Sequence, residues 1–82
     1  MEIENKKEIR KLFGAYLKKH REEVLKVSSI RQLSFDSELD SSKLTKIEKG
    51  QIDFRFDTLL EIARTYKIHP TKLFNFRFDF DD

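Results

Sequence analysis

The sequence predicts a small all-helical fold, and three observations support this prediction. Apolar residues recur at spacings of three and four along most of the chain, which places them on one face of successive helices. The segments between these stretches contain Ser, Asp, Gly and Pro where helices start or stop. A chain of 82 residues has room for one modest core. We therefore expect residues 1–82 to form a single domain, a compact all-α bundle of five short helices.

The first two helices are predicted from residues that follow a polar lead-in over residues 1–8. The buried face of the first helix consists of Ile9, Leu12, Phe13, Tyr16, Leu17, His20 and Val24. The second helix is expected to start at Ser28 or Ser29, because serine side chains cap free backbone N–H groups, and to end around residues 36–38. Its candidate core residues are Ile30, Leu33 and Phe35.

The third helix carries the most distinctive surface pattern. Asp40, Ser41 or Ser42 can cap it, since their side-chain oxygens accept the N–H groups of its first turn. Gly50 ends it as a glycine in the left-handed conformation. Lysines repeat every three residues along this helix and form a ridge, which consists of Lys43, Lys46 and Lys49.

Two further helices are predicted before the end of the chain. The fourth begins near Asp57 and is closed by Ile68, and its apolar residues are Leu59, Leu60, Ile62, Ala63 and Tyr66. Pro70 is favoured at the first position of a helix, so residues 69–71 are expected to start a short fifth helix that holds Leu73 and Phe74.

The last residues of the chain follow a different period. From Phe74 to Phe80, phenylalanine occupies every second position, which is typical of a β-strand. Because the helical body offers no second strand, the C-terminal tail over residues 75–82 is expected to pair with the same strand of another copy. The dimerisation residues would be Phe74, Phe76, Phe78 and Phe80. The alternative is that these rings fold back on the helical core as an extended arm.

Composition argues against several functional classes. The chain has no Cys, which excludes disulfides and thiol chemistry and favours a reducing, cytoplasmic location. No apolar run is long enough for a membrane span or a signal peptide. His20 and His69 lack partners at ligand spacing, and no nucleophile and base pattern is found, so we expect no metal, no cofactor and no enzyme activity. The net charge of +2 is too small to indicate nucleic acid by itself.

Four segments in register resemble the XRE/Cro-like, phage-repressor-type family of helix-turn-helix domains. They are Leu33-Ser34, LTKIEKG at 44–50, TLLEIA at 58–63 and IHPTKLF at 68–74. The resemblance covers more than half of the chain and implies a lambda-repressor-like bundle, to which the Phe periodicity adds the tail as a candidate C-terminal β-strand. It also implies a transcriptional regulator that binds double-stranded DNA at a palindromic operator, as a homodimer, through its third helix.

Carried over residue by residue, the resemblance assigns base contacts to the start and outer side of the third helix. These residues are Ser41, Ser42, Lys43, Thr45 and Lys46, of which the two serines are equally candidates for helix caps. Lys49 and Arg55 would contact phosphates. Glu48 would pair with an arginine of the first helix, for which Arg21 is the nearest candidate.

The sequence departs from the family pattern at the start of the second helix and in the turn that follows it. Ile30 stands where a glutamine typically contacts a phosphate, Glu38 stands where the turn usually carries a glycine with positive φ, and Ser37 replaces a usual apolar residue. The missing glutamine at Ile30 and the modest net charge support an alternative function, a protein–protein interaction module of the same fold that has lost DNA binding. An antitoxin, a restriction–modification controller and a phage-type repressor all fit the leading interpretation, and a toxin or other effector protein is a further candidate partner.

Overall fold

The computed structural model describes residues 4–80 and confirms the all-helical fold. Four α-helices occur in this part of the chain: α1 (Glu4–Lys19), α2 (Ile30–Ser34), α3 (Ser41–Glu48) and α4 (Phe56–Tyr66). α1 continues as a π-helical turn over His20–Val24, and Pro70–Lys72 forms a single 3₁₀ turn. The predicted fifth helix is therefore only this turn, and no β-strand is found between residues 4 and 80.

The predicted helix caps are confirmed for α2 and α3. The Ser29 side chain accepts a backbone N–H of α2 at 3.1 Å, and the Asp40 carboxylate accepts one of α3 at 2.8 Å. Because Asp40 caps α3, the hydroxyl groups of Ser41 and Ser42 are not used for this purpose. Gly50 has a φ of +69°, the left-handed conformation predicted for it.

Three helix boundaries differ from the prediction. α1 begins at Glu4, within the stretch predicted as a polar lead-in, of which residues 1–3 lie outside the described part. α2 ends at Ser34, where the side-chain hydroxyl donates to the Arg31 carbonyl at 2.7 Å and competes with helical hydrogen bonding. Phe35, a predicted core residue, is consequently 72% exposed. α4 begins one residue earlier than predicted, at Phe56.

All four α-helices, the turn between α2 and α3 and the segment after α4 contribute to the core. Its fully buried side chains are Leu17, Leu44, Ile47, Ile62, Tyr66 and Leu73. Gly14 allows α1 and α3 to approach closely, because a Cβ at this position would lie 2.6 Å from the Glu48 carbonyl carbon. Leu12, Val24 and Leu60 were expected to be buried but are exposed, since the apolar stripes are wider than the surfaces that cover them.

The C-terminal segment folds back onto α1, as the arm alternative predicts. The ring centroid of Phe13 lies 5.5 Å from that of Phe74 and 6.2 Å from that of Phe76. Phe76 also packs against Tyr16, at 5.5 Å. The Tyr16 hydroxyl donates to the Lys72 carbonyl at 2.9 Å and ties α1 to the start of the arm. Within one chain, ring stacking on α1 thus takes the place of the predicted strand.

The end of this arm is less covered than its beginning. Phe78 packs on Phe76 at 5.2 Å, and Phe80 meets Phe78 edge-on at 5.8 Å. Phe74 and Phe80 are 50% and 70% exposed. Asp81 and Asp82, which belong to the predicted tail, lie outside the described residues.

Candidate nucleic-acid interface

α3 has one buried side and one exposed side. Leu44, Ile47 and Glu48 are buried against the rest of the protein. The opposite side carries exposed polar side chains, which are Ser42, Lys43, Lys46 and, just beyond the helix, Lys49. None of these four side chains forms a hydrogen bond or an ion pair with another residue between positions 4 and 80. We call this surface the outer face of α3, and its polar groups are free to contact a ligand.

Ser41 and Thr45 lie beside the outer face and are half-buried. The Thr45 hydroxyl donates to the main-chain carbonyl of Ser41 at 2.8 Å, so its proton is used within the helix. Of the five predicted base-contacting residues, Ser42, Lys43 and Lys46 are therefore exposed to solvent. Ser41 and Thr45 are partly covered.

The predicted phosphate-contacting residues flank the connection between α3 and α4. Lys49 caps the C-terminus of α3, and Arg55 immediately precedes α4. Both side chains are exposed. Since α4 has no side-chain cap, Arg55 stands beside backbone N–H groups that favour an anion.

A buried charged cluster fixes the inner side of α3. The Arg21 guanidinium donates to both oxygens of the Glu48 carboxylate, at 2.8 and 2.9 Å, and the Tyr66 hydroxyl donates to the same carboxylate at 2.7 Å. Arg21 also donates to the Val27 carbonyl at 3.0 Å. The predicted pairing of Glu48 with Arg21 is thus confirmed. It connects the π-helical turn after α1 to the last residues of α3 and α4.

Hydrogen bonding and burial keep Arg21 charged and Tyr66 protonated. The hydrogen bonds to Glu48 raise the pKa of the Arg21 guanidinium. Burial raises the pKa of the Tyr66 hydroxyl well above its usual value, and its hydrogen bond to Glu48 adds to this effect. Arg21 remains charged and balances Glu48 within the protein. The carboxylate therefore does not offset the lysines on the outer face of α3.

A second polar cluster shapes the turn between α2 and α3. The Glu61 carboxylate accepts the backbone N–H of Glu38 at 2.8 Å and the hydroxyl of Ser37 at 3.3 Å. Ser37 also shares a hydrogen bond of 2.7 Å with the Thr65 hydroxyl. Arg64 donates to both Glu61 oxygens, at 2.8 and 2.6 Å, and these bonds lower the pKa of the Glu61 carboxyl to about 2. The cluster attaches the turn to α4.

Glu38, which stands where the family turn usually carries a glycine, does not adopt the left-handed conformation. Within the described residues, positive φ angles occur only at Lys26, Lys67 and Gly50. The Glu38 N–H instead donates to the Glu61 carboxylate. The sequence analysis missed this cluster. The available signal was the spacing of three residues between Glu61 and Arg64, which places the two side chains together on one helix.

Compared with protein-family models, with curated proteins and with solved structures, the chain matches none. Between residues 4 and 80, no helix combines the length and the apolar character needed to cross a membrane. The same stretch contains no group of three or more His, Asp or Glu side chains that could hold a metal ion.

Proposed function

We propose that this protein is a sequence-specific DNA-binding transcriptional regulator, a repressor in its mode of action, that inserts α3 into the major groove. The observation that carries the proposal is the outer face of α3. Ser42, Lys43 and Lys46 are exposed there, and their side chains form no hydrogen bond or ion pair within residues 4–80. The opposite side of the helix is held by the pairing of Glu48 with Arg21. A rigidly held helix with free cationic side chains fits the width and the acceptor-rich edges of the major groove.

Each exposed residue has a role that follows from its chemistry. Lys46 lies on the outer face between Ser42 and Lys49 and is the residue proposed to read guanine, whose O6 and N7 accept hydrogen bonds. Ser42 can donate to or accept from several bases and therefore discriminates weakly. Lys49 and Arg55 are proposed to bind phosphates and to set the orientation of α3.

The operator is proposed to be palindromic, because a two-fold homodimer presents two copies of α3 about one DNA turn apart. Phe76 is used within the chain, whereas Phe74 and Phe80 keep exposed ring surface for contact between copies. The backbone N–H groups of residues 77–80 donate no hydrogen bond within the described part of the chain. They are available for antiparallel pairing with the same segment of a second copy.

The DNA-binding proposal is tested with an operator selected from random duplexes and measured by fluorescence anisotropy. Lys46→Ala is expected to weaken operator binding by about 1–3 kcal/mol and to relax the preference at one base pair. Lys49→Ala should weaken binding to all DNA sequences to the same extent. The matched control is Lys18→Ala, which removes an exposed lysine of α1 that is not on this surface. Unchanged affinity and preference in Lys46→Ala would show that α3 does not read DNA.

The dimer proposal is tested by sedimentation at several protein concentrations. Phe80→Ser is expected to shift the equilibrium towards monomer, because it removes an apolar ring that is 70% exposed and whose ring contact is with Phe78. Phe35→Ser is the control, since Phe35 is 72% exposed but lies outside the arm. Equal dimer dissociation constants for the two variants would show that the interface between copies does not involve the arm.

An interaction module without DNA binding is the second candidate, and Ile30 favours it. Ile30 is the first residue of α2 and packs against the core. Position 30 therefore offers no polar side chain to a phosphate. Titration of random duplex DNA at increasing salt distinguishes the two functions. A steep decrease in affinity with salt reports phosphate contacts and supports the regulator. The absence of binding at low salt supports the module.

A further inference from the structure

A groove of about 500 Å³ lies between α1 and the C-terminal arm. Its apolar surface comes from Leu12, Tyr16, Val24 and Phe76. Leu12 is 44% exposed, a considerable apolar area on a small protein. Sites for small organic molecules typically have volumes of about 300–1,000 Å³, apolar walls and few polar groups, and the groove has these properties.

The groove opens on the side of α1 that faces away from α3. Gly14 marks the side of α1 that contacts α3. At about 100° per helical residue, Leu12, Tyr16 and Lys19 lie roughly opposite Gly14. A ligand in the groove would therefore leave the outer face of α3 open.

The polar groups around the groove are mainly cationic. Lys19 and Arg77 line it from α1 and from the arm, and both are exposed. Neither forms an ion pair within residues 4–80. Glu23 is the one carboxylate among the lining residues in this part of the chain. The balance of charge favours an anionic occupant with an apolar body.

His20 gives the groove an internal probe. Its ring lines the groove, and its Nε2 atom is shielded from solvent without a hydrogen-bond partner among the described residues. Because a ligand oxygen in the groove does not reach a shielded atom, the ring reports a charge bound nearby rather than holding it.

We infer that this groove binds a small organic acid, with its aliphatic or aromatic body against Tyr16 and Phe76 and its carboxylate between Lys19 and Arg77. A carboxylate in this position forms charge-assisted hydrogen bonds, which are stronger than those between neutral groups. The inference does not depend on DNA binding, because the groove and the outer face of α3 share no residue.

The test uses the intact protein and three probes of equal chain length, namely hexanoate, hexanol and hexylamine. Binding is followed by NMR through the methyl groups of Leu12 and Val24 and the ring nitrogens of His20. Hexanoate is expected to give saturable shifts at all three residues and to bind several-fold more tightly than hexanol. Hexylamine should bind most weakly. The His20 nitrogen shift should occur with hexanoate alone.

Two variants test whether the positive charges of Lys19 and Arg77 contribute to hexanoate binding. Lys19→Gln and Arg77→Gln are each expected to lower hexanoate affinity about two- to fivefold and to leave hexanol affinity unchanged, as for partly exposed ion pairs. Lys18→Gln is the matched control, since Lys18 is exposed on α1 but does not line the groove.

Two results overturn the inference. Equal affinity for hexanoate and hexanol would identify an apolar surface suited to another protein rather than an acid site. The absence of saturable shifts at Leu12, Val24 and His20 would show that the groove takes no small ligand. Loss of operator binding in Lys46→Ala bears on neither result, so the two proposals fail separately.

Discussion

Replacement of Glu48 by alanine tests whether the buried cluster holds α3 in place. The carboxylate receives two hydrogen bonds from Arg21 and one from Tyr66. Arg21 and Glu48 are 3% and 8% exposed, so water cannot replace the lost partner. Glu48→Ala therefore removes the acceptor of the Tyr66 hydroxyl and two of the three hydrogen-bond acceptors of the buried Arg21 guanidinium, which keeps only the Val27 carbonyl among the described residues.

The expected loss of stability is about 3–5 kcal/mol, the range found when one partner of a buried ion pair is removed. A protein of this length is stable by roughly 4–12 kcal/mol. The substitution thus removes a large part of the free energy of unfolding. For a domain of this size, a loss of about 3 kcal/mol lowers the thermal midpoint by about 12–24 °C.

Urea and thermal unfolding followed by circular dichroism measure this loss. The matched control is Glu22→Ala, because Glu22 lies 3.8 Å from the same guanidinium but its side chain is 46% exposed. This control is expected to cost less than about 1 kcal/mol. The combined variant Arg21→Met, Glu48→Leu and Tyr66→Phe removes all three polar partners and should recover most of the stability.

Two outcomes would refute this reasoning. A loss below about 1 kcal/mol in Glu48→Ala would mean that the carboxylate is hydrated and contributes no more than a surface ion pair. A combined variant as unstable as the single one would mean that the loss comes from packing volume rather than from an unpaired charge.

Three further predictions concern other parts of the fold. Gly14→Ala should destabilise the protein by about 1–3 kcal/mol in urea unfolding, although alanine favours helices, because its Cβ would lie 2.6 Å from the Ile47 carbonyl oxygen. Lys67→Gly should instead raise stability by about 1 kcal/mol, since Lys67 has a φ of +56°. The Glu61 pKa is lowered to about 2 from its ordinary value of 4.5, so its stabilising effect is complete above pH 4.5 and is lost as the pH falls towards 2. Thermal midpoints between pH 5 and pH 2 should accordingly fall less in Glu61→Gln than in the wild type.

Local signals in the sequence predicted the position of α3 well. Asp40 and Gly50 mark its two ends through their own backbone and side-chain chemistry, and the structure agrees with both. The pairing of Arg21 with Glu48 was predicted from the resemblance. The hydrogen-bond distances between Arg21 and Glu48 could not be predicted, because Arg21 lies in a π-helical turn that determines where its side chain points.

Features that depend on contacts between distant segments were predicted poorly. Leu12 was expected in the core, but its exposure is set by where the arm crosses α1. Periodicity from Phe74 to Phe80 indicated a strand, whereas Phe13 offers an apolar surface on which the rings stack in the same chain. The contact of Glu38 with Glu61 joins residues 23 positions apart, which no local pattern reveals.

The separation of α3 into a fixed inner side and an unpaired outer face has a consequence for evolution. Substitutions at Ser42, Lys43 or Lys46 remove no side-chain hydrogen bond or ion pair within the described chain, so their cost in stability should stay within about 0.5 kcal/mol. If α3 reads DNA as proposed, sequence preference can diverge between related proteins through changes at these three positions, without compensating changes at Glu48 or Arg21. In that role, variable DNA contacts and preserved packing would fall to opposite sides of α3.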